Sequence, residues 1–446
     1  MVAAAEPLAE HVVAADVHPA VKPPTSKHYS REYAALVREY VGQPVDTSFR
    51  ELVGPLPASE YTHGLYPYPA RLLRHIPRFL LSTDAVVADI DTVFDPFVGS
   101  GTVLLEAQLR GYASIGVEQN PVAALVSRVK VSQGSHAHSA RILNEAMVAA
   151  KRRRRTILPS PLLTRWYSEG SLSALGRLAA VAAEYDGDDR DLLELCLALT
   201  ARRMSTTDPR IPVPVKSARN AAASSSDVWS QWAHQSASIV AKLVTLPPQR
   251  PNADVRAGDA RNPALWPSSE QAAKTLLLSS PPYGAAQKYV RSTSLEAAWL
   301  GHAPTGKTVH LEHGSIGREH LSLQDLDLSV SQLSSAHLRS ALTAIGEKNP
   351  RRGAIYIAYF ADMQRIFENA RDVGMRRIAL VSGDNYVTGE ILRTSQHLAD
   401  IVQSMGYRRA LSLRDPIRGR TLLTSRKNGV PAPAEYIEIF EMADRD

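Results

Sequence analysis

Cysteine is almost absent from this chain of 446 residues, which contains a single one, Cys196. A lone cysteine excludes an internal disulfide and a zinc site built from several thiolates, and it fits a protein of the reducing cytoplasm. Cys196 lies in the apolar helical pattern LLELCLALT, which predicts a buried core residue. The stability of the fold must therefore come from its hydrophobic core.

Long apolar runs are absent as well. No stretch approaches the roughly 18 uninterrupted apolar residues that a membrane-spanning helix needs. The first residues, MVAAAEPLAEHVVAADVHPAVKPPTS, have no basic leader ahead of an apolar block and so do not resemble a secretory signal. We expect residues 1–27 to form a flexible N-terminal arm.

The formal net charge is a modest +6, and its distribution is more informative than its size. Two basic clusters fall in the middle of the chain. They comprise Lys151, Arg152, Arg153, Arg154 and Arg155 in one run, followed by Arg202, Arg203, Arg210, Lys216 and Arg219. A solvated helix face explains any one such cluster, but two within one region favour a surface that binds phosphate groups.

Short apolar runs alternate with helical patterns from about residue 66 and again after 250, which is typical of a doubly wound, Rossmann-like α/β sheet. Residues 131–245 instead show helix-period stretches such as SLSALGRLAAVAAEYD and no convincing strand. We predict one α/β domain over 28–130 and 246–446 with a helical insertion over 131–245. A second insertion, about 302–350, is rich in His, Ser and Gly and predicts a loop with a short helix.

The segment VFDPFVGSGTVLLEAQ predicts a strand ending at Asp95, a turn with Gly99 and Gly101, and a helix from about Val103. Glycines allow a backbone to approach a ligand closely, and the helix N-terminus behind them offers free N–H groups. The next strand, SIGVE, ends at Glu118, where a carboxylate can accept hydrogen bonds from both hydroxyls of a ribose. No Gly-Lys-Ser/Thr follows the turn, which excludes a P-loop, and the missing third glycine disfavours NAD.

This unit resembles motif I, D-P-F-x-G-S-G-T, and the acidic position after it in the amino-methylating DNA methyltransferases. The resemblance implies S-adenosylmethionine as the cofactor, with the turn around its methionine part and Glu118 on its ribose. It implies no metal. The residues that it assigns to the cofactor are Asp95, Pro96, Phe97, Gly99, Ser100, Gly101, Thr102, Glu118 and Gln119.

Two further segments carry the same resemblance. THGLYPYPARLLRHIPRFL resembles motif X, so Tyr66, Pro67 and Tyr68 would contact the methionine end of the cofactor; a proline-rich helix start is the alternative. In VRAGDARN, just after a predicted strand, Asp259 would contact the adenine amino group with Ala260 beside it. A turn aspartate is the alternative there.

The segment KTLLLSSPPYG predicts a strand that stops at Ser280, Pro281, Pro282 and Tyr283. Two prolines cannot continue a ladder, so the chain must leave the sheet at its carboxyl edge, where open α/β sheets bind ligands. The Ser280 hydroxyl and the Pro281 carbonyl would accept the two hydrogens of an aromatic amine, which is otherwise a poor nucleophile. Tyr283 would stack on a base flipped out of a duplex, although Pro-Pro-Tyr alone is more simply a structural turn.

Together with the glycine turn, Ser-Pro-Pro-Tyr resembles motif IV of the same family, where Ser at the first position is typical of cytosine-N4 enzymes. Asp or Asn there is typical of adenine-N6 enzymes, which remain the alternative. A C5-cytosine mechanism needs a thiolate, which Cys196 does not offer. RNA guanine-N2 methyltransferases are a second alternative, although they more often carry Asp and a single Pro before the Tyr. A non-catalytic DNA-binding protein has no need of a methyl-donor pocket.

The resemblance covers roughly residues 60–130 and 250–445. It implies double-stranded DNA as the substrate, a cytoplasmic, nucleoid-associated protein, and a restriction endonuclease acting on the same site as a partner. The insertion over 131–245 separates the two motifs, and we predict that it recognises the DNA target.

Overall fold

The computed structural model describes residues 28–57, 60–69, 71–284, 289–319, 321, 329–417 and 434–443. The arm predicted over residues 1–27 lies outside them. The strands are β1 (Val45–Asp46), β2 (Thr92–Asp95), β3 (Ala113–Glu118), β4 (Ala253–Ala257), β5 (Thr275–Ser279), β6 (Arg377–Ser382), β7 (Asn385–Val387), β8 (Glu390–Leu392), β9 (Tyr407–Pro416) and β10 (Ala434–Met442).

The helices surround these strands, and none of those described is long and apolar enough to cross a bilayer. The α-helices are α1 (Ser30–Glu39), α2 (Phe49–Val53), α3 (His75–Leu80), α4 (Asp84–Val87), α5 (Thr102–Gln108), α6 (Pro121–Val131), α7 (His136–Arg152), α8 (Glu169–Ala182), α9 (Gly187–Met204), α10 (Ser225–Leu243), α11 (Ser269–Ala272), α12 (Tyr289–Ser292), α13 (Ser294–Trp299), α14 (Val309–His313), α15 (Ala336–Lys348), α16 (Pro350–Val373) and α17 (Thr394–Ser404). Short 3-10 helices span Tyr61–Gly64, Pro161–Arg165, Pro263–Leu265 and Val330–Gln332.

Eight strands form one sheet in the order β1-β9-β10-β6-β5-β2-β3-β4. Its pairs are parallel except for those of β10, which runs antiparallel to both β6 and β9. The small hairpin of β7 and β8 stands apart from it. The predicted Rossmann-like mixed α/β sheet is confirmed.

Alternate residues of the central strands enter two separate hydrophobic clusters, one on each face of the sheet. In β2, Val93 faces the first cluster and Phe94 the second; in β5, Leu276 faces the first and Leu277 the second. This alternation follows from the two-residue period of a strand. Because both faces are covered by helices, the strands are apolar on both sides, as expected for parallel strands.

The predicted helical insertion contains α7, α8, α9 and α10. Its buried side chains, among them Leu143, Leu195 and Trp232, belong to the same cluster as Val93 of the sheet. Trp232 also donates its indole N–H to the Leu143 carbonyl at 3.0 Å, which ties α10 to α7. The insertion therefore extends the helical layer on one face of the sheet and shares its core.

The second insertion contains more helix than predicted. Besides the short α14, it includes the 13-residue helix α15. Leu338, Leu342 and Ile345 of α15 are buried in the second cluster at helical spacing, which provides the driving force for this helix. The prediction of a loop with one short helix was wrong, because the apolar residues of this stripe are spaced so that a helix buries them on one face.

The order of the strands places a crevice at the centre of the sheet. From β2 the chain moves outward through β3 to β4, then returns to β5 on the other side of β2 and continues to β6. Doubly wound sheets bind ligands outside the carboxyl ends of the strands where the winding direction changes. Here that position lies between the ends of β2 and β5.

Candidate active site

The ends of β2 and β5 are joined directly by a hydrogen bond. Ser279, the last residue of β5, donates its hydroxyl to Oδ1 of Asp95, the last residue of β2, at 2.5 Å. The backbone N–H of Phe97 donates to the same oxygen at 2.9 Å. Burial raises the pKa of the Asp95 carboxyl to about 7, against the effect of these two bonds. The turns that follow the two strands therefore start side by side.

The glycine turn after Asp95 has the backbone that only glycine adopts readily. Gly99 has a φ of +54° and Gly101 a φ of +77°, and a Cβ on Gly101 would lie 3.2 Å from Ser127. The Ser127 hydroxyl donates to the Gly99 carbonyl at 2.8 Å and holds the turn. Helix α5 begins directly behind it, at Thr102.

Glu118 closes the other side of the turn. Its Oε2 accepts the N–H of Gly99 and its Oε1 accepts the N–H of Asn120, both at 2.7 Å. Burial raises the pKa of Glu118 to about 7, although these backbone bonds favour the charged form. Each carboxylate oxygen can accept more than one hydrogen bond, so Glu118 can still receive donors from a ligand.

A single cleft collects most of the residues predicted from the motifs. Its empty volume is about 1030 Å³, which includes the solvent in its open mouth. The predicted residues that line it are Tyr68, Asp95, Pro96, Phe97, Gly99, Ser100, Thr102, Glu118, Gln119, Asp259, Ala260, Ser280, Pro281, Pro282 and Tyr283. The two turns that are distant in the sequence thus share one cleft.

Three residues expected at the cofactor do not line the cleft. Gly101 ends the turn and packs against Ser127, and Pro67 is exposed to solvent. Tyr66 is buried, and its hydroxyl donates to Oε1 of Glu296 at 2.9 Å. A buried phenol needs a hydrogen-bond partner, and Tyr66 finds it in α13 and not at the cleft.

Several lining residues were not predicted. Tyr289 stacks on Tyr68 with ring centroids 6.4 Å apart and planes 15° apart, forming an aromatic wall. Asn120 caps α6 by accepting the N–H of Val122 at 3.0 Å, a role indicated by Asn-Pro before a helical pattern. Arg71 is the one basic side chain among the described residues that line the cleft, and it follows the Tyr-Pro-Tyr-Pro stretch already singled out.

The second insertion also contributes to the cleft wall, through Ser315 and Ile316. Gly317 has a φ of +78° and lies so close to the Ser280–Tyr283 turn that a Cβ there would be 2.8 Å from the Tyr283 carbonyl. Nothing in the local sequence pattern indicates this contact, because it joins segments that are brought together only by the fold.

Asp259 lines the cleft with its carboxylate already engaged. Arg261 donates to Asp259 Oδ2 at 2.6 Å and to Asp362 Oδ1 at 2.6 Å. The same guanidinium donates to the carbonyl of Gly314 at 2.8 Å. Asp259 therefore helps to attach the second insertion to the rim, in addition to any contact with a ligand.

The residues present suit a nucleoside joined to an amino acid, such as S-adenosylmethionine. The hydroxyl oxygen of Ser100 is shielded from solvent and has no hydrogen-bond partner among the described residues. A polar group of a ligand in the cleft could supply that partner. Glu118 suits ribose hydroxyls, and the Arg71 guanidinium suits a carboxylate.

Comparison with known proteins adds a short similarity to methyltransferases. Type II methyltransferase M.MjaII of Methanocaldococcus jannaschii is 32% identical over 75 residues, which is 17% of this chain and 14% of that protein. Type II methyltransferase M.MvaI of Kocuria varians is 34% identical over 74 residues, which is 16% of each. No family model matches the chain. The chain is thus similar to type II methyltransferases over about a sixth of their length.

The first basic run lies at the end of α7, where Lys151 and Arg152 occupy the last helical turn. Cations near the C-terminus of a helix interact favourably with its dipole, so these two residues also stabilise α7. Arg153 forms an ion pair with Glu184 at 2.6 Å. Lys151, Arg152, Arg154 and Arg155 are exposed.

The second basic cluster divides into exposed and engaged side chains. Arg203, Lys216 and Arg219 are exposed, whereas Arg210, also exposed, pairs with Asp208 at 2.6 Å. Arg202 points into the protein, where it donates to Glu296 Oε1 at 2.7 Å and to the Ser292 carbonyl at 3.2 Å. Arg202 has a structural partner, which argues against its predicted contact with phosphate.

Cys196 lies in the core as predicted. It is fully buried, and burial raises the pKa of its thiol to about 12. A thiol of this kind stays protonated near neutral pH and is not a nucleophile.

Proposed function

We propose that this protein is an S-adenosylmethionine-dependent methyltransferase that methylates the exocyclic N4 of cytosine in double-stranded DNA. One observation carries the proposal: the glycine turn with Glu118 and the Ser280–Tyr283 corner line the same cleft. The short similarity to type II methyltransferases supports this class of enzyme over other users of a nucleoside.

S-adenosylmethionine would supply a methyl group on a positively charged sulfonium. Glu118 would hold the ribose hydroxyls, and the carboxylate of Asp95, whose Oδ1 is fixed by Ser279 and Phe97, would face the positively charged methionine part. Arg71 would pair with the carboxylate of the cofactor. Asp259 would accept the adenine amino group at the far end of the cleft.

The Ser280–Tyr283 corner would position the base. The Ser280 hydroxyl and the Pro281 carbonyl would accept the two N–H groups of the cytosine amine, which frees its lone pair for in-line attack on the methyl carbon. When the C–N bond forms and the C–S bond breaks, these acceptors would direct one proton of the amine toward solvent, because neither a hydroxyl nor a carbonyl is basic enough to keep it. Tyr283 would stack on the flipped base and keep it in the cleft.

The exposed basic side chains of the helical insertion would contact the DNA backbone. Lys151, Arg152, Arg154 and Arg155 form one group, and Arg203 with Lys216 forms another. Phosphate contacts fix the register of a protein on a duplex but do not select the sequence. A cognate restriction endonuclease that cleaves the same unmethylated site would be the biological partner of such an enzyme.

The proposal is tested by incubating the full-length protein with duplex DNA and methyl-labelled S-adenosylmethionine, followed by mass spectrometry of the nucleosides. Labelled N4-methylcytosine is expected. Labelled N6-methyladenine instead would support the adenine alternative, which shares the same cleft and differs in the fit of the base against Ser280. Absence of both products, or a protein that binds no cofactor in calorimetry, would refute the proposal.

A further inference from the structure

A second group of ligand-type side chains lies outside the cleft, between two helices of the second hydrophobic layer. His337 is at the start of α15, and His397 and Asp400 lie three residues apart on α17, hence on one side of that helix. One ligand atom from each residue lies within 4.8 Å of the others. His337 Nδ1 is 3.8 Å from Asp400 Oδ2, and the two imidazole centroids are 5.0 Å apart.

The carboxylate of this group is oriented by its neighbours. Asp400 Oδ1 accepts the side-chain amide of Gln396 at 2.6 Å, and Gln396 Oε1 in turn accepts from Arg409 at 3.3 Å. These bonds turn the other oxygen, Oδ2, toward His337. Hydrogen bonds that hold a carboxylate from behind are typical of the outer shell of a metal site.

His397 contributes an unsatisfied nitrogen. The residue is only 2% exposed, and Phe360 packs edge-on against its ring at 5.9 Å, which restricts its orientation. Its Nδ1 is shielded from solvent and has no hydrogen-bond partner among the described residues. Buried polar atoms almost always have a partner, and an ion pair of His337 with Asp400 alone would leave this nitrogen unexplained.

We propose that His337, His397 and Asp400 bind a divalent first-row transition metal ion, for which Zn²⁺ is the best match. Two imidazoles and a carboxylate are ligands that Zn²⁺ prefers, and water would complete a tetrahedron. With bonds of about 2.0–2.1 Å, tetrahedral ligand atoms are separated by about 3.4 Å. The exposed side chain of His337 can rotate, which would shorten its distances to the other two ligand atoms.

The ion would bridge two helices, α15 of the second insertion and α17, which packs against the sheet. Nearby, the Ser404 hydroxyl of α17 donates at 3.1 Å to the hydroxyl of Ser334, which lies two residues before α15. None of the three ligands lines the cleft, so the site is separate from the proposed methyl transfer.

Calorimetric titration of the chelator-treated, full-length protein with ZnCl₂ tests this site. We expect one Zn²⁺ per chain and a higher Tm in its presence. His337→Ala and Asp400→Asn should each weaken Zn²⁺ binding at least tenfold and remove the rise in Tm. His234→Ala, at an exposed histidine of α10, is the matched control and should bind as the wild type does.

The variants also keep the test decisive. His337 is exposed, so its replacement should leave the far-ultraviolet circular dichroism and the metal-free Tm unchanged. Zn²⁺ binding by His337→Ala as tight as by the wild type, or no binding by the wild type, would overturn the proposal. These readouts do not depend on methyltransferase activity and so are separate from the test of the proposed function.

Discussion

Two carboxyls of the cleft, those of the buried Asp95 and the half-buried Glu118, have pKa values raised to about 7 mainly by desolvation. Each therefore holds its proton more tightly in the folded chain than in the unfolded one, where the ordinary values are 3.8 and 4.5. Ionising them makes folding less favourable as the pH rises from about 4 through about 7. The backbone N–H groups that donate to these carboxylates favour their charged forms. A charged carboxylate is the form that would bind hydrogen-bond donors or a cation.

The pH dependence of cofactor binding follows from Glu118. If the ionised carboxylate receives the ribose hydroxyls, wild-type affinity for S-adenosylmethionine should fall about tenfold from pH 8 to pH 6, since about one unit below a pKa a tenth of the group is ionised. Glu118→Gln should bind more weakly at pH 8 and show a flatter profile. Calorimetry across this pH range measures both. Equal slopes for the two proteins would assign the titration to another group, with Asp95→Asn as the next variant.

Ser280 should affect the chemical step and not cofactor binding. Its hydroxyl is proposed to accept a hydrogen of the attacking amine, and loss of one such positioned group typically costs about 10²–10³ in kcat. We expect Ser280→Ala to lose at least about 10² in kcat while its Kd for S-adenosylmethionine stays within about twofold. Single-turnover kinetics with labelled cofactor measure the step.

Two further variants should be measured beside Ser280→Ala. Tyr283→Ala should reduce turnover in the same way, because the flipped base loses its stacking surface. Ser294→Ala in α13, whose hydroxyl donates to the Arg291 carbonyl at 3.0 Å away from the cleft lining, should keep wild-type turnover. A Ser280→Ala enzyme with normal kcat would remove the corner from the mechanism.

At the scale of elements, the local signals in the sequence were sufficient for the strands that build the site. The apolar run before Asp95, the glycines after it and the prolines after Ser279 each mark where a strand ends and a turn begins. These features are encoded within a few residues of each other, which is why they are readable from one sequence.

Contacts between elements that are distant in the sequence could not be predicted from it. The antiparallel position of β10 between β6 and β9, and the approach of Gly317 to Tyr283, join segments whose local patterns give no sign of each other. Arg202 was predicted to bind DNA phosphates because it lies in one of two basic clusters within one region, yet the fold pairs its guanidinium with Glu296, which is far away in the sequence. Burial of a charge depends on its partner, which only the fold supplies.

The ion pair of Arg202 with Glu296 should therefore matter for stability. Glu296 is 2% exposed, so among the described residues Arg202→Ala would leave its buried carboxylate with the Tyr66 hydroxyl alone. We expect the free energy of unfolding to fall by about 3 kcal/mol, measured by urea denaturation. Arg203→Ala, an exposed neighbour, should change it by less than about 0.5 kcal/mol. Similar values for both variants would mean that the pair contributes little.

At the scale of the whole molecule, the helical insertion shares one hydrophobic core with the sheet. A basic surface on that insertion is thus attached rigidly to the scaffold of the cleft through α9, whose Arg202 reaches α13. Phosphate contacts made by the insertion would orient the duplex relative to the Ser280–Tyr283 corner. This arrangement predicts that the basic run affects DNA binding and leaves cofactor binding unchanged.

The salt dependence of DNA binding provides the measurement. Each phosphate contact contributes about 0.9 to the slope of log K against log salt concentration. Arg154→Ala with Arg155→Ala should lower that slope by about 1–2, whereas Arg31→Ala with Arg38→Ala, two exposed arginines of α1, should leave it unchanged. Fluorescence anisotropy with a labelled duplex at several salt concentrations gives both slopes. Equal slopes for the two double variants would mean that the basic run at the end of α7 makes no phosphate contact and is only a solvated surface.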